Sequence, residues 1–329
     1  MAETALVVSG PQIATQRVTT TWQTDAKTHK VTEEDVTSIY NNSLHDDPAS
    51  RVLLDATEQG YELDNVGGID NPVGLTGDLL KLNTLLIHGP KSRLDDQRSA
   101  AANAKLAVSD TFFAGSCAAA AVLRAADRAA GALVIDLGGG CTPFTVWSDG
   151  KLVLAGVVPV GGDHATNDVQ IAFGMSLSQA EELKKRASAI LSKDRATGRI
   201  ELAKSIAATG PDSVSKRALD VVVNARFAEL FAIIREKLDD ANLLHRIGAG
   251  VFLVGGGAQL AHVAELAETV LGLPTRVATL VPEIEGLEKK EFPAAYATVA
   301  GLLLLALKSE GGPNLMDTVK NLWKKVTRK

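Results

Sequence analysis

Three glycine corners follow apolar stretches of this chain, and their residue types suit phosphate chemistry. Glycines let backbone N–H groups approach phosphate oxygens closely, and an aspartate at the end of a strand can hold Mg²⁺ through water. The residues concerned are Asp136, Gly138, Gly139, Gly140, Thr142, Gly161, Gly162, Gly255, Gly256 and Gly257. The first corner alone would fit a tight turn between strands equally well. Taken with the other two, it predicts a phosphate site with Mg²⁺ held indirectly by Asp136.

A helical run between the second and third corners carries Glu181 three residues before Lys184. Residues at that spacing lie on one face of a helix, where they could contact a ribose and a base edge. A solvated salt bridge is the commoner role for such a pair. The pair supports a nucleotide site only because the glycine corners accompany it.

The second half of the chain has the pattern of strands needed to position these corners. Short apolar runs predict strands at residues 132–135, 144–147, 152–158 and 251–254. Apolar residues at three- and four-residue steps predict helices over much of 163–190 and 214–245. Because open α/β sheets bind ligands at the carboxyl ends of their strands, we expect the corners to meet there.

The first half predicts a smaller α/β unit. Strands are predicted at 5–9, 17–22 and 79–88, a helix capped by Thr32 at 31–40, and a structured loop at 65–77. The Ala-rich stretch 94–128 is predicted to be helical.

Composition narrows the class of protein. The chain has 329 residues, of which 46% are hydrophobic and 22% charged, as in a folded protein of about two domains. A net charge of -5 and 4% aromatic residues disfavour nucleic-acid binding. Two cysteines, Cys117 and Cys141, form no disulfide framework and favour a reducing, cytoplasmic compartment. No apolar run reaches the ~20 residues of a membrane-spanning helix.

The segment after Pro313 predicts an amphipathic helix with a partner of its own. Its apolar positions are Leu315, Met316, Val319, Leu322, Trp323 and Val326, and its cations are Lys320, Lys324, Lys325, Arg328 and Lys329. Such a helix lies in the interface of an anionic membrane surface. The alternative is a helix that docks on its own domain.

With these residues assembled, the sequence resembles the actin-like ATPases and, among them, the FtsA family of bacterial cell-division proteins. Residues 135–140 look like the family's second phosphate loop, and Gly161 and Gly162 with Thr166 and Asp168 look like the corner that follows it. Residues 180–184 resemble its adenosine helix and residues 254–259 its adenosine loop. The resemblance implies ATP and Mg²⁺ as cofactors.

Other segments resemble FtsA in particular. Residues 6–10 and 61–75 look like the two ends of its inserted subdomain, although an ordinary surface turn would explain the second equally well. That insert contacts neighbouring subunits and other division proteins. The stretch 226–230, reading RFAEL, resembles the region that receives the C-terminal peptide of the tubulin-like protein FtsZ. Lys216, Arg217 and Arg226 are its candidate partner-binding residues.

The sequence also departs from the family. The family opens with an Asp-x-Gly-Thr phosphate loop that has no counterpart here, which implies an incomplete first lobe. A late start codon, a separate chain that supplies the piece and a degenerate scaffold are the competing explanations. Cys141 and Pro143 stand where hydroxyl and acidic residues are usual, and Pro143 has no N–H for a phosphate. These departures argue against tight binding of ATP, but they do not argue against the predicted fold.

The fold predicted is α/β, an actin-like two-lobed ATPase fold with an inserted α/β subdomain and an incomplete first lobe. The predicted divisions are an insert at 5–90, a first-lobe helical segment at 91–130, a second lobe at 131–292 with a helical subdomain at about 190–245, a return helix at 293–310, and a linker with a membrane-targeting helix at 311–329.

The function expected is that of an adaptor at the cytoplasmic face of the membrane, at the division septum. It would bind ATP, self-associate into filaments and anchor FtsZ filaments. It would be at most a weak ATPase, since no residue stands out as a catalytic base. A sugar-kinase-like phosphotransferase and an actin-like pilus-assembly adaptor are the alternatives.

Overall fold

The structure, a computed structural model, describes residues 2–44, 50–189, 198–202, 211–281 and 294–309. The predicted amphipathic helix in 311–329, from Leu315 to Arg328, lies outside the described residues. Parts of the predicted helical subdomain, at 190–197 and 203–210, also lie outside them. Within the described residues, no helix combines the length and the hydropathy that a membrane span requires.

The described part of the first 130 residues contains both strands and helices. In chain order they are β1 (Ala2–Val8), β2 (Ala14–Gln23), α1 (Glu33–Ser43), β3 (Arg51–Leu63), β4 (Val66–Ile69), β5 (Leu79–Pro90), α2 (Lys91–Asn103), β6 (Leu106–Phe113), α3 (Ala114–Val122) and α4 (Ala125–Ala130).

The remaining elements begin with a hairpin. They are β7 (Ala132–Asp136), β8 (Thr142–Ser148), β9 (Lys151–Val158), α5 (Gly162–Phe173), α6 (Leu177–Lys184), β10 (Arg199–Glu201), β11 (Ser213–Ser215), α7 (Lys216–Asp240), β12 (Gly250–Val254), α8 (Val263–Leu271), β13 (Thr275–Val277) and α9 (Ala297–Ser309).

A five-stranded sheet in the order β13-β12-β7-β8-β9 is the centre of the second lobe. Alternate residues of its central strands face two different cores. Leu133 and Ile135 of β7 pack toward α7 and α8, whereas Val134 packs with residues of α3 and α9. Because side chains alternate across a strand, burial on both faces gives the continuous apolar runs seen in the sequence.

The insert is a four-stranded antiparallel sheet in the order β2-β5-β3-β4, covered by α1. The predicted cap of α1 is present. Thr32 accepts from the N–H of Asp35 at 3.2 Å, and the Asp35 carboxylate accepts from the N–H of Thr32 at 2.9 Å. This reciprocal capping box satisfies two N–H groups that a helix start leaves without partners.

Two expectations for the first half are corrected. Residues 94–128 are not continuously helical, because β6 interrupts them and pairs in parallel with β1. The stretch 111–113, Thr-Phe-Phe, suits a strand, but Ala-rich flanks obscured it. Because β1 pairs with β6, it is not part of the insert's sheet, which starts at β2 rather than at residue 5.

The insert sits against β9, the edge strand of the large sheet. Arg17 of β2 donates to the carbonyl oxygen of Val153 at 2.9 Å, and the Gln59 amide donates to that of Leu152 at 2.7 Å. Apolar residues of β3 and β5 pack with Leu152 and Ala155 below these bonds. The insert therefore covers part of an edge that would otherwise present unpaired backbone groups.

Helix α9 packs closely on α3 and also contacts β1. Gly301 makes the helix pair possible, because a Cβ at this position would overlap the carbonyl oxygen of Cys117. Thr298, one turn earlier, approaches the end of β7. The last described helix thus contacts both the first-lobe segment and the central sheet.

Candidate functional site

The three glycine corners meet at one edge of the five-stranded sheet. The N–H of Leu137 donates to the carbonyl oxygen of Val254, and the N–H of Gly257 donates to that of Leu137, both at 2.9 Å. The second corner joins the first through the N–H of Gly162, which donates to the carbonyl oxygen of Gly138 at 2.9 Å. The residues are therefore as close together as their places at strand ends predicted.

A cavity of about 440 Å³ opens between these corners and helices α6 and α7. Seven of the predicted residues line it: Gly138, Gly139, Gly162, Glu181, Lys184, Gly256 and Gly257. Six further residues line it: Leu137, Asp163, Lys185, Phe227, Gln259 and Leu260. Leu137 and Gln259 belong to the predicted loops 135–140 and 254–259, although neither was singled out as a site residue. Asp163 could have been suspected, since it directly follows a glycine pair at a helix start.

The first corner has two adjacent backbone N–H groups, those of Gly139 and Gly140, and Gly139 lines the cavity. The carbonyl oxygens of Gly138 and Gly139 accept from the N–H groups of Gly162 and Asp163, both at 2.9 Å. In a trans peptide the C=O and the following N–H point in opposite directions, so the N–H groups of Gly139 and Gly140 face away from α5. Neither has an acceptor among the described residues. Adjacent free N–H groups in a glycine loop form an anion-binding nest.

Glu181 and Lys184 form one network at the wall of the cavity. The Lys184 ammonium donates to Glu181 at 2.6 Å, to Thr166 at 2.9 Å and to the carbonyl oxygen of Gly162 at 3.1 Å. Burial acts to raise the pKa of Glu181, but the hydrogen bonds from Lys184 and Thr166 outweigh it and hold that pKa below its ordinary value. Lys184 therefore orients Glu181 and braces the start of α5.

Asp136 lies behind the first corner rather than on the cavity wall. Its Oδ2 accepts from the Thr298 hydroxyl at 2.6 Å. Burial raises the pKa of Asp136, and the hydrogen bond from Thr298 offsets this only in part. Among the described residues, no group of three or more His, Cys, Asp or Glu side chains could hold a metal ion. A metal here would need phosphate oxygens and water as its other ligands, which is usual for Mg²⁺.

The other predicted residues of the three corners do not line the cavity. Gly140 does not line the cavity, and a Cβ there would meet open space. Thr142 is fully buried and its hydroxyl donates to the carbonyl oxygen of Val160 at 2.8 Å. A Cβ at Gly161 would press on two carbonyl oxygens of the first corner, and Gly255 has a φ of +85° that disfavours side chains. These positions allow the corners to pack together.

The predicted peptide site is a groove between α5 and α7. Arg226 holds Asp168 with two hydrogen bonds of 2.7 and 3.1 Å and also pairs with Glu229. The bond to Asp168 raises the pKa of the Arg226 guanidinium. Beside this triad, Ile171 is 72% exposed and Val221 is 45% exposed. The groove therefore combines an apolar floor with a cation that two carboxylates already hold.

The other two predicted cations differ in their surroundings. Lys216 pairs with Asp220 at 3.1 Å at the start of α7. Arg217 is exposed to solvent on the next position of the same helix. Neither contacts the groove beside Arg226.

The chain has sheets in two lobes, helices packed on their faces, and a cavity between glycine corners at the strand ends. This arrangement is typical of the actin-like ATPase folds. In the solved PilM-PilN type IV pilus biogenesis complex, a chain aligns with a TM-score of 0.56 at 16% identity, over 92% of this chain and 79% of that chain. MreB 5 of Spiroplasma citri bound to AMPPNP aligns with a TM-score of 0.51 at 16% identity, over 71% and 68%. These similarities confirm the predicted fold class.

The chain belongs to the FtsA family. The family model for cell division protein FtsA matches residues 133–301, and the model for the SHS2 domain inserted in FtsA matches residues 10–88. Cell division protein FtsA of Escherichia coli K12 is 31% identical over 290 residues, and that of Pseudomonas aeruginosa is 28% identical over 264 residues. The matches cover 83% and 80% of this chain, but 67% and 63% of those relatives.

Proposed function

We propose that this chain binds an adenine nucleotide with Mg²⁺ in the cavity at the glycine corners. The observation that carries the proposal is the pair of adjacent N–H groups on Gly139 and Gly140, which have no acceptor in the part of the chain that the structure describes. Gly139 itself lines the cavity. Phosphates would bind these donors, and the open carboxylate oxygen of Glu181 would accept from a ribose hydroxyl. MreB 5, which shares the fold, was solved bound to ADP and to AMPPNP.

The residues present fit Mg²⁺ as an ion held mainly by phosphates and water. Asp136 remains the predicted indirect ligand, through water at the end of β7. The ion would neutralise phosphate charge and fix the geometry of the nucleotide. No described residue suggests a catalytic base, so the nucleotide would order the two lobes rather than drive a metabolic reaction.

Titration calorimetry with ATP and Mg²⁺ tests the nucleotide site. Gly256 lines the cavity and a Cβ there would meet open space, so Gly256→Val should fold normally yet obstruct the ligand. Gly67→Val in β4 of the insert is the matched control, because a Cβ there makes only ordinary contacts with Glu62. We expect the parent and the control to bind and Gly256→Val to bind at least about tenfold more weakly. A folded parent that gives no heat would reject the proposal.

At the level of the cell, we propose an adaptor of bacterial division. Family membership supports this role, in which the chain polymerises, binds the FtsZ C-terminal peptide, and holds it at the cytoplasmic face of the membrane through residues 311–329. The divisions predicted from the sequence are retained, apart from the start of the insert's sheet and the strand β6, which interrupts the predicted helical segment 91–130. Septal location and contacts with other division proteins through the insert are part of the same proposal.

The groove at Arg226 is the candidate peptide site. Its exposed Ile171 and Val221 would take apolar side chains, and Arg226 would pair with an acidic residue of the peptide. For Arg226 to pair with the peptide, its guanidinium must break part of its ion pairs with Asp168 and Glu229.

A further inference from the structure

Asp163 is a carboxylate that lies beside Gly139 of the first corner. It is an exposed residue at the start of α5 and lines the cavity. Both of its carboxylate oxygens would lie 3.1 Å from a Cβ built on Gly139. Its backbone N–H is bonded to the carbonyl oxygen of Gly139, which fixes the backbone of Asp163 against the loop.

The carboxylate of Asp163 has no cation paired with it in the ranges that the structure describes, and Lys184 is committed to Glu181. Lys185, the other cation on the cavity wall, pairs with Glu182 at 2.9 Å and lies 3.9 Å from Glu181. Within the described ranges, a carboxylate without an ion-pair partner therefore lies beside Gly139 of the first corner.

A phosphate bound at Gly139 and Gly140 would meet this carboxylate at close range. Like charges at such a distance repel strongly where protein excludes part of the water. A divalent cation between the carboxylate and a phosphate oxygen would remove this repulsion, because both oxygens would bind the cation. Carboxylate and phosphate oxygens are ligands that Mg²⁺ accepts. Asp136 is less suited, since its Oδ2 is bonded to Thr298 behind the loop.

We propose that Asp163 makes nucleotide binding depend on a divalent cation by holding Mg²⁺ against the phosphates. This rests on the proposed nucleotide site and assigns the cation a ligand that faces the cavity. Asp163 thereby selects the Mg²⁺ complex of the nucleotide over the free nucleotide.

The test is calorimetric titration of the full chain with ATP, once with Mg²⁺ and once with EDTA. For the parent we expect chelation to weaken binding about tenfold or more, and for Asp163→Asn about threefold or less, because metal-free ATP binds the variant better. Asp163→Glu should restore the dependence in part. Asp96→Asn, an exposed aspartate on α2, is the matched control and should behave as the parent.

The outcomes separate the two proposals. An Asp163→Asn variant that keeps the parent's ratio of affinities with and without Mg²⁺ would overturn this inference and leave the nucleotide site standing. A variant that binds ATP better by the same factor in both buffers would also overturn it, since the carboxylate would then only compete with phosphate. A parent that binds no ATP in either buffer would reject the nucleotide site itself.

Discussion

The hydroxyl of Thr298 donates a hydrogen bond of 2.6 Å to the carboxylate of Asp136, joining α9 to the end of β7 across 162 positions of sequence. Burial raises the pKa of Asp136, because the ionised carboxylate is less favourable away from water. The hydrogen bond from Thr298 stabilises the ionised carboxylate and so lowers this cost. The bond is therefore both a tertiary link and the main local support for a charge behind the glycine loop.

Asp136→Asn should stabilise the protein at neutral pH by about 1 kcal/mol, because it removes a poorly solvated charge and keeps an acceptor for Thr298. Because the pKa of Asp136 is higher in the folded than in the unfolded protein, its protonation stabilises the folded state at pH values below the unfolded pKa of about 3.8. This stabilisation is lost as the pH rises through the pKa of Asp136 in the folded protein. The advantage of the variant should thus be largest near pH 7 and shrink toward pH 4. Urea unfolding at both pH values measures it, and an advantage independent of pH would contradict the argument.

Thr298→Val removes the donor while keeping the shape of the side chain. We expect a loss of about 1–2 kcal/mol at pH 7, since a partly buried carboxylate loses its hydrogen bond. The loss should be smaller in the Asp136→Asn background, which a double-mutant cycle by urea unfolding would show.

Gly301→Ala should lower the free energy of unfolding by about 2 kcal/mol or more, because its methyl group meets the Cys117 carbonyl and separates α9 from α3. Alanine is the better helix former, so helix propensity alone predicts a gain of about 1 kcal/mol. Gly67→Ala provides a control at a position with ordinary contacts. Equal thermal stability of parent and Gly301→Ala would show that α9 can shift without loss.

Gln59→Ala tests how much the hydrogen bond between the insert and β9 contributes to stability. It leaves the carbonyl oxygen of Leu152 without the donor at 2.7 Å, for an expected loss of about 1–2 kcal/mol. Gln97→Ala, on the exposed surface of α2, should change stability by less than about 0.5 kcal/mol. Identical melting temperatures for the two variants would mean that water replaces the Gln59 bond.

Asp168→Asn and Arg226→Gln should change peptide affinity in opposite directions. The first frees the guanidinium from a carboxylate at 2.7 Å and should strengthen binding of the FtsZ C-terminal peptide about threefold or more. The second removes the cation and should weaken it about tenfold. Fluorescence anisotropy with a labelled peptide measures both, and a parallel response of the two variants would move the peptide site elsewhere.

Trp323→Ala in the full chain should reduce co-sedimentation with vesicles that contain anionic lipid. Tryptophan anchors amphipathic helices at the membrane interface, and the Lys and Arg residues of 311–329 add attraction to anionic headgroups. Neutral vesicles should pellet less of the parent, and high salt should lower binding to the anionic ones. A chain ending at Glu310 that sediments as well as the parent would remove the tail from the proposal.

Local patterns in the sequence predicted much of this structure, because caps, turns and glycine corners depend on interactions between residues that are close in sequence. The capping box of Thr32 and Asp35 and the turn at Asp149 and Gly150, with φ values of +52° and +79°, need only neighbouring residues. The corners were predictable because glycine after an apolar strand permits close backbone approach. Their meeting at one sheet edge followed from a general property of α/β sheets.

What was missed depends on contacts distant in sequence. Strand β6 forms because β1, a hundred residues earlier, supplies its hydrogen bonds, and no local pattern reports this. Asp163 and Phe227 line the cavity only once α5 and α7 have packed. Asp136 was identified by its place after a strand, but Thr298 determines that its carboxylate turns behind the loop.

Thr298 and Gly301 fix α9 at two points within a single turn, one against a carboxylate and the other against a neighbouring backbone. A helix held so tightly cannot roll or slide without breaking one of these contacts. A displacement of α9 along its axis would therefore disturb the carboxylate that lies behind the first glycine corner.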